Sequence, residues 1–176
     1  KPAKAGFFRI VLVFYRVILV IPTQYDKEKI MSEMNVHGRC HCGQIALEAT
    51  VDTQKVMACH CTDCQVFSGA PYRAIVAVPA EHLTIHGTPK EYVKTAESGN
   101  KRFQAFCGDC GTQLYAADSE RTLFNIRLGC LDERALLVPR KHIFGKSTLG
   151  WVHDIDQGTW FESGLNSPQM TGINDS

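Results

Sequence analysis

Eight cysteines in 176 residues constrain this chain more than any other feature, because seven of them fall into three tight clusters. Cys40-His41-Cys42-Gly43 is C-x-C-G, Cys59-His60-Cys61-Thr62-Asp63-Cys64 is C-x-C-x-x-C, and Cys107-Gly108-Asp109-Cys110-Gly111 is C-x-x-C-G. In the first and third clusters, two thiolates can grip one metal ion from a tight turn. The glycine after each pair takes positive φ without a Cβ clash and lets backbone N–H groups approach the sulfurs. Two such knuckles on different strands make a closed tetrahedral site of four sulfurs, and soft thiolates in that geometry select zinc. Cys40, Cys42, Cys107 and Cys110 are therefore assigned to a structural zinc. It would staple strands far apart in sequence, so that metal-binding energy becomes folding energy.

The middle cluster supplies three thiolates, Cys59, Cys61 and Cys64, within six residues and no fourth. Three protein ligands and one open position is how catalytic zinc sites are built. A thiol entering that position is deprotonated and becomes a nucleophile at neutral pH, so the arrangement suits activation of a small thiol substrate. Two other readings compete. The cysteines could pair as disulfides, although C-x-C spacing bridges poorly and the knuckle glycines fit a metal better. The middle cluster could also hold a second structural zinc, with His60, Cys130 or a partner's side chain as fourth ligand. Cys130 sits in the apolar stretch Leu128-Gly129-Cys130-Leu131, where a lone cysteine reads as a small buried hydrophobe. His41 and His60 are expected to point away from the metals, and Asp63 and Asp109 to support the turns.

The rest of the composition is ordinary. Hydrophobic residues make up 44% of the chain and charged residues 21%, and 19 basic against 18 acidic side chains leave a formal charge of +1. Such a balance excludes an electrostatic nucleic-acid binder and a disordered chain. Residues 1–30 differ in character from the remainder of the chain. An apolar run from Phe7 to Ile21 is interrupted by Arg9 and Arg16 and ended by Pro22. It is short for a membrane span, and each central arginine costs about 2.5–3.5 kcal/mol on insertion scales. Its basic start resembles a leader, whereas Met31-Ser32-Glu33-Met34 reads as a natural start that makes residues 1–30 an extension. The expected organisation is a doubtful extension or leader over 1–30, one zinc-binding domain over 31–165 and a flexible tail over 166–176. Membrane association is expected only if the first segment belongs to the mature protein.

Alternation and turn signals predict a mainly β fold. Ile45, Leu47, Ala49 and Val51 share one strand face, as do Tyr72, Ala74, Val76 and Val78. Residues 56–58, 83–86, 92–95, 101–106, 113–116 and 123–128 are further strand candidates, and 62–68 fits one or two helical turns before Gly69. Turn signals about every 8–12 residues favour antiparallel sheets with few short helices.

The order Gly38-Arg39-Cys40-His41-Cys42-Gly43, Cys59-His60-Cys61-x-x-Cys64, Phe106-Cys107-x-x-Cys110-Gly111 resembles the glutathione-dependent formaldehyde-activating enzyme (GFA) family, which includes the centromere protein V domain. Ser68-Gly69-Ala70-Pro71, Leu128-Gly129-Cys130-Leu131-Asp132, His142-Ile143-Phe144, Trp151 and Trp160-Phe161 extend the resemblance over about residues 36–163. It implies a β-tent of antiparallel sheets stapled by zinc. It also implies two zinc ions, one structural at Cys40, Cys42, Cys107 and Cys110, one catalytic at Cys59, Cys61 and Cys64. The implied activity is that of a carbon–sulfur lyase, S-hydroxymethylglutathione synthase, which condenses glutathione with formaldehyde, and the expected location is the cytoplasm. His142 and Asp63 are candidate proton donors, and Arg73, Lys101 and Arg102 are candidate partners for an anionic thiol. The competing functions are a non-enzymatic zinc scaffold that binds a protein partner, and an enzyme for another thiol or electrophile, with Tyr72, Phe144, Trp151 and Trp160 lining its pocket.

Overall fold

The computed structural model describes residues 32–96 and 99–170. The expected extension over 1–30 and the last residues of the expected tail, 171–176, lie outside them. Complete elements within these residues run in order: β1 (Glu33–Arg39), β2 (Ala46–Asp52), β3 (Val56–Cys59), α1 (Thr62–Ser68), β4 (Arg73–Pro79), β5 (Leu83–His86), β6 (Lys90–Thr95), β7 (Lys101–Phe106), β8 (Gln113–Ala117), β9 (Leu123–Arg127) and β10 (Lys141–Ile143). They form a three-stranded sheet, β1-β2-β5, and a seven-stranded sheet, β10-β3-β4-β9-β8-β7-β6. Every pairing is antiparallel except β10 with β3. The fold is thus mainly β with short helices, as the alternation predicts.

The core lies between the two sheets. From the small sheet come Val36, Leu47, Ala49 and Val51, and from the large sheet Val56, Val76, Val78, Ala105, Tyr115, Ala117, Phe124 and Ile126. Side chains two apart on a strand share a face, so the alternation in β2 and β4 delivers these residues to one side. Fully burying each Val, Leu or Ile contributes about 1.5–3 kcal/mol. Phe124 and Tyr115 pack edge to face, with centroids 5.2 Å apart. Leu131 and Leu137, from the segment after β9, complete the core.

Strand β4 is buried on both faces because its second face is covered too. Arg73, Ile75 and Ala77 point away from the core and are all buried. Helix α1 closes one end of that face: Phe67 contacts the Tyr92 ring at 5.8 Å and the Arg73 guanidinium at 5.3 Å. An ion pair from Asp63 to Lys94 fastens the helix to β6. Gly69, in the left-handed region at φ 60°, terminates the helix and donates its N–H to the Gln65 carbonyl.

Two strands lie outside the sequence expectation, and both lack a clear apolar alternation. In β1 the inward positions are Met34, Val36 and Gly38, and β10 is three exposed residues. Gly38 is required there by contact rather than by φ. The β1 chain crosses the segment after β9, where Gly38 bridges to Leu131 and Asp132 donates its N–H to the His37 carbonyl at 2.8 Å. After Glu162 the chain folds back, with Phe161 bridging to Gln169 and Met170 donating its N–H to the Trp160 carbonyl at 2.9 Å. Among the described residues, no helix is long and apolar enough to cross a membrane.

A Cβ at Gly38 would meet the Cys130 carbonyl oxygen at 2.7 Å and Leu131 Cδ2 at 2.8 Å, whereas one at Gly129 meets nothing within 4 Å. Gly38→Ala is therefore expected to cost about 1–3 kcal/mol, and Gly129→Ala to stay within about 0.5 kcal/mol of the parent. Denaturant unfolding of the two variants side by side checks this.

Candidate metal centres

Two cysteine groups converge. Cys40, Cys42, Cys107 and Cys110 bring their four sulfurs within 4.8 Å of one another, and so do the three of Cys59, Cys61 and Cys64. The first group joins the turn after β1 to the turn after β7. Each turn is shaped by its glycine, Gly43 at φ 81° and Gly111 at φ 73°. The chain closes each turn on itself: Gly43 N–H donates to the Cys40 carbonyl and Gly111 N–H to the Cys107 carbonyl, both at 3.0 Å. Cys40 Sγ lies 3.5 Å from Cys42 Sγ, which lies 3.7 Å from Cys107 Sγ. Zinc–sulfur bonds of about 2.3 Å in a tetrahedron separate sulfurs by roughly 3.8 Å, so this donor set fits zinc. A thiolate is favoured here: the Thr112 hydroxyl and backbone N–H lower Cys110 to about 5, with the Cys42 backbone N–H adding to them. The Ile45 N–H donates to Cys40 Sγ at 3.3 Å.

The second group is built on the end of β3 and the start of α1. Cys59 is the last residue of β3, Cys61 caps the helix and accepts the Cys64 N–H at 3.4 Å, and Cys64 lies in its first turn. Cys59 Sγ and Cys61 Sγ are 3.5 Å apart, again a spacing that suits zinc. Cys59 is lowered to about 6, first by a hydrogen bond from the Cys64 thiol and then by the Cys61 backbone N–H and thiol and the charge of Arg73. Cys64 is raised in return, first by that same bond to Cys59. A fourth protein ligand is missing among the described residues.

Three neighbours frame this group. His60 is buried, with its Nε2 2.9 Å from His142 Nδ1, its ring stacked on His142 with centroids 5.2 Å apart and tilted against Tyr72 at 5.3 Å. Burial, then the charge of His142, holds the His60 imidazole below its ordinary value. Gln65 ties α1 to the segment after β10, donating from Nε2 to the carbonyls of His60 and Ser147, both at 2.8 Å. On the other side stands Arg73, whose register partner across the strand pair is Cys59. Burial lowers Arg73, and the charge of Cys64, Cys59 and Cys61 opposes that. Burial also lowers Arg127, to about 9, which leaves it charged at neutral pH.

A family model described as glutathione-dependent formaldehyde-activating enzyme matches residues 35–147, more than half of the chain. The chain belongs to that family. An uncharacterized lyase of Schizosaccharomyces pombe is 28% identical over 80 residues, which are 46% of this chain and 56% of that protein. The chain thus matches little more than half the length of this curated relative. A crystal structure of a Rhodobacter sphaeroides protein is similar at 16% identity and a TM-score of 0.48, over 60% of this chain and 98% of that one.

Within this GFA-family chain, all seven clustered cysteines meet in the two groups expected of them. Cys130 joins neither, and its thiol instead donates to the Arg127 carbonyl at 3.1 Å. His60 joins neither as well. Asp63 forms an ion pair with Lys94 on β6. Arg73 is not the surface cation that its sequence context suggests but a buried one, whereas Lys101 is exposed. Among the aromatics, Tyr72 packs on His60, while Phe144 and Trp151 are exposed. Phe144 is held at φ 57°, a strained conformation for a bulky side chain. Gln104 and Arg127 escaped sequence reasoning. Their only signal is a polar residue at an alternating strand position, which usually marks a wetted face.

Because Cys130 lies outside both groups, Cys130→Ala is expected to retain the full metal content of the parent protein. Metal analysis after extensive dialysis checks this, with a loss of one equivalent as the contrary result.

Proposed function

We propose that the chain is a zinc-dependent carbon–sulfur lyase of the S-hydroxymethylglutathione synthase type, joining the thiol of glutathione to formaldehyde. The observation that carries this reading is the contrast between the two groups: one brings four cysteines together, while the other brings three and, among the described residues, no fourth protein ligand. In this reading Cys40, Cys42, Cys107 and Cys110 hold a structural zinc, and Cys59, Cys61 and Cys64 hold a second zinc with one position open to substrate. A zinc ion there supplies a Lewis-acidic position that favours the ionised form of a thiol.

The chain's own residues would do the rest. The glutathione sulfur forms a bond to the formaldehyde carbon as the C=O π bond opens. The proton lost by the thiol returns to the resulting alkoxide oxygen, so atoms and charge balance. His142 is the proton carrier we favour. It sits on β10 beside Ile143, the register partner of Cys59, and its Nδ1 is fixed by the buried His60 Nε2 at 2.9 Å. Formaldehyde needs no pocket of its own, so holding the thiol in place would supply most of the rate. Seven cysteines held as zinc ligands and an unpaired Cys130 suit a reducing compartment, for which we propose the cytoplasm.

Zinc stoichiometry and glutathione calorimetry test this reading together. Two zinc ions per chain and a binding heat that disappears in Cys61→Ser are expected. No heat with glutathione would instead favour a zinc scaffold that binds a protein partner, and a heat only with other thiols would favour a different substrate. Cys107→Ser is expected to lose one zinc and to melt far below the parent, because Cys107 is buried in the core. Cys61→Ser is expected to lose one zinc with a much smaller fall in melting temperature. His142→Gln is expected to lower kcat by about 10²–10⁴ with little change in glutathione affinity, read by steady-state kinetics beside calorimetry.

A further inference from the structure

The face of the seven-stranded sheet that points away from the core carries two buried cations without a counter-ion. Arg73 and Arg127 are only 4% and 6% exposed. Arg127 pairs in register with Ile75, two residues along β4 from Arg73, so both guanidiniums lie on the face that also carries Cys59. Both donate to one neutral oxygen: Arg73 Nη1 at 3.1 Å and Arg127 Nη2 at 2.9 Å reach Gln104 Oε1. Nε and Nη2 of Arg73 and Nε of Arg127 are buried with no acceptor among the described residues. Neither arginine forms an ion pair with a carboxylate among those residues.

Buried charges are ordinarily paired, and a glutamate in place of Gln104 would be the usual solution. Here the shared acceptor carries no charge, so the balance must come from elsewhere. The second group is the nearest source of negative charge once a metal holds its sulfurs ionised: Cys59 faces Arg73 in register, Cys64, Cys59 and Cys61 act on Arg73, and Cys64 and Cys59, with Cys130 from outside the group, act on Arg127. Three thiolates on a divalent cation carry one net negative charge, which leaves one guanidinium uncompensated. A fourth, anionic ligand closes the balance, whereas a neutral one leaves an excess positive charge in a buried site.

We infer that Arg73, Gln104 and Arg127 form a charge-compensating, positioning group that makes the Cys59–Cys61–Cys64 site select an anionic fourth ligand, a thiolate, over a neutral one. The inference rests on the proposed reading that these cysteines hold a metal with one open position. It adds a source of ligand selectivity that lies in the sheet rather than in the cysteines. Gln104 holds the two arginines side by side without neutralising either.

The test uses the full chain loaded with Co(II), whose absorption reports the fourth ligand without any turnover. Thiocyanate and 2-mercaptoethanol probe anionic ligation, and imidazole probes neutral ligation. Arg127→Met keeps the volume and removes the charge, and Arg127→Lys keeps the charge. The expected result is at least a tenfold fall in the preference for thiocyanate over imidazole in Arg127→Met, with most of it kept in Arg127→Lys. A purely structural role would weaken all three ligands alike and leave that ratio unmoved. Gln104→Glu, which places a carboxylate between the arginines, is expected to raise the melting temperature and to lower the same ratio; it serves if Arg127→Met does not fold. A ratio within twofold of the parent in either folded variant overturns the inference. A parent protein that binds thiocyanate but not 2-mercaptoethanol would overturn the thiol-activating function and still support the arginine group.

Discussion

The four-cysteine group joins the two sheets where they meet, and the core is continuous with it. Cys40 and Cys42 leave the end of the three-stranded sheet, while Cys107 and Cys110 leave the seven-stranded sheet between β7 and β8. Cys42 and Cys107 are 65 residues apart in sequence and 3.7 Å apart in space. Bringing such distant segments together costs loop entropy, which grows only slowly with length, so one strong contact per closure can offset it. Most of the remaining contact between the two sheets is apolar, and apolar contact attracts without specifying an angle. With the proposed zinc bound, four sulfurs would accept only a narrow set of geometries and so set how the sheets approach. Cys40 and Cys107 are themselves part of the core, so the sulfur group and the apolar packing are one structure.

The second constraint is register. Antiparallel pairing of β3 with β4 sets Cys59 against Arg73, and parallel pairing of β10 with β3 sets Ile143 beside Cys59. A slip of one residue in either pair would turn these side chains to the opposite face. The three-cysteine group therefore has a cationic side, supplied by the sheet, and a histidine side, supplied by β10 and the residue between two of its cysteines. Helix α1 adds little beyond Cys64 and the Phe67 cover, yet Gln65 locks it to the segment after β10. Such a surround is what a group needs if it is to treat an incoming anion differently from a neutral molecule.

Much of the fold was legible because its signals are local. The alternation of Leu47, Ala49 and Val51 needs nothing beyond a strand with one buried face, and Gly69 after 62–68 marks a helix end wherever that helix lies. Strand β1 was not legible because one of its inward positions is a glycine, chosen to let another chain segment pass at contact distance. Strand β10 was not legible because three exposed residues carry no pattern at all; it exists because β3 offers it an edge. The site shows the same division. Cysteine spacing within each cluster is set by the reach of a single turn, so it can be read from the chain alone. The burial of Arg73 cannot, because an arginine on an alternating strand ordinarily marks the solvent side.

The order of residues alone specifies a mainly β chain with cysteine groups of four and three, because turn geometry and strand alternation act over a few residues. The surroundings of the second group come from the folded arrangement and from nothing shorter in range. Arg73, Gln104 and Arg127 come from three different strands, and His60 and His142 from segments 82 residues apart. Their meeting is fixed by sheet order and register, which are settled by the whole core at once and leave no local trace in the chain.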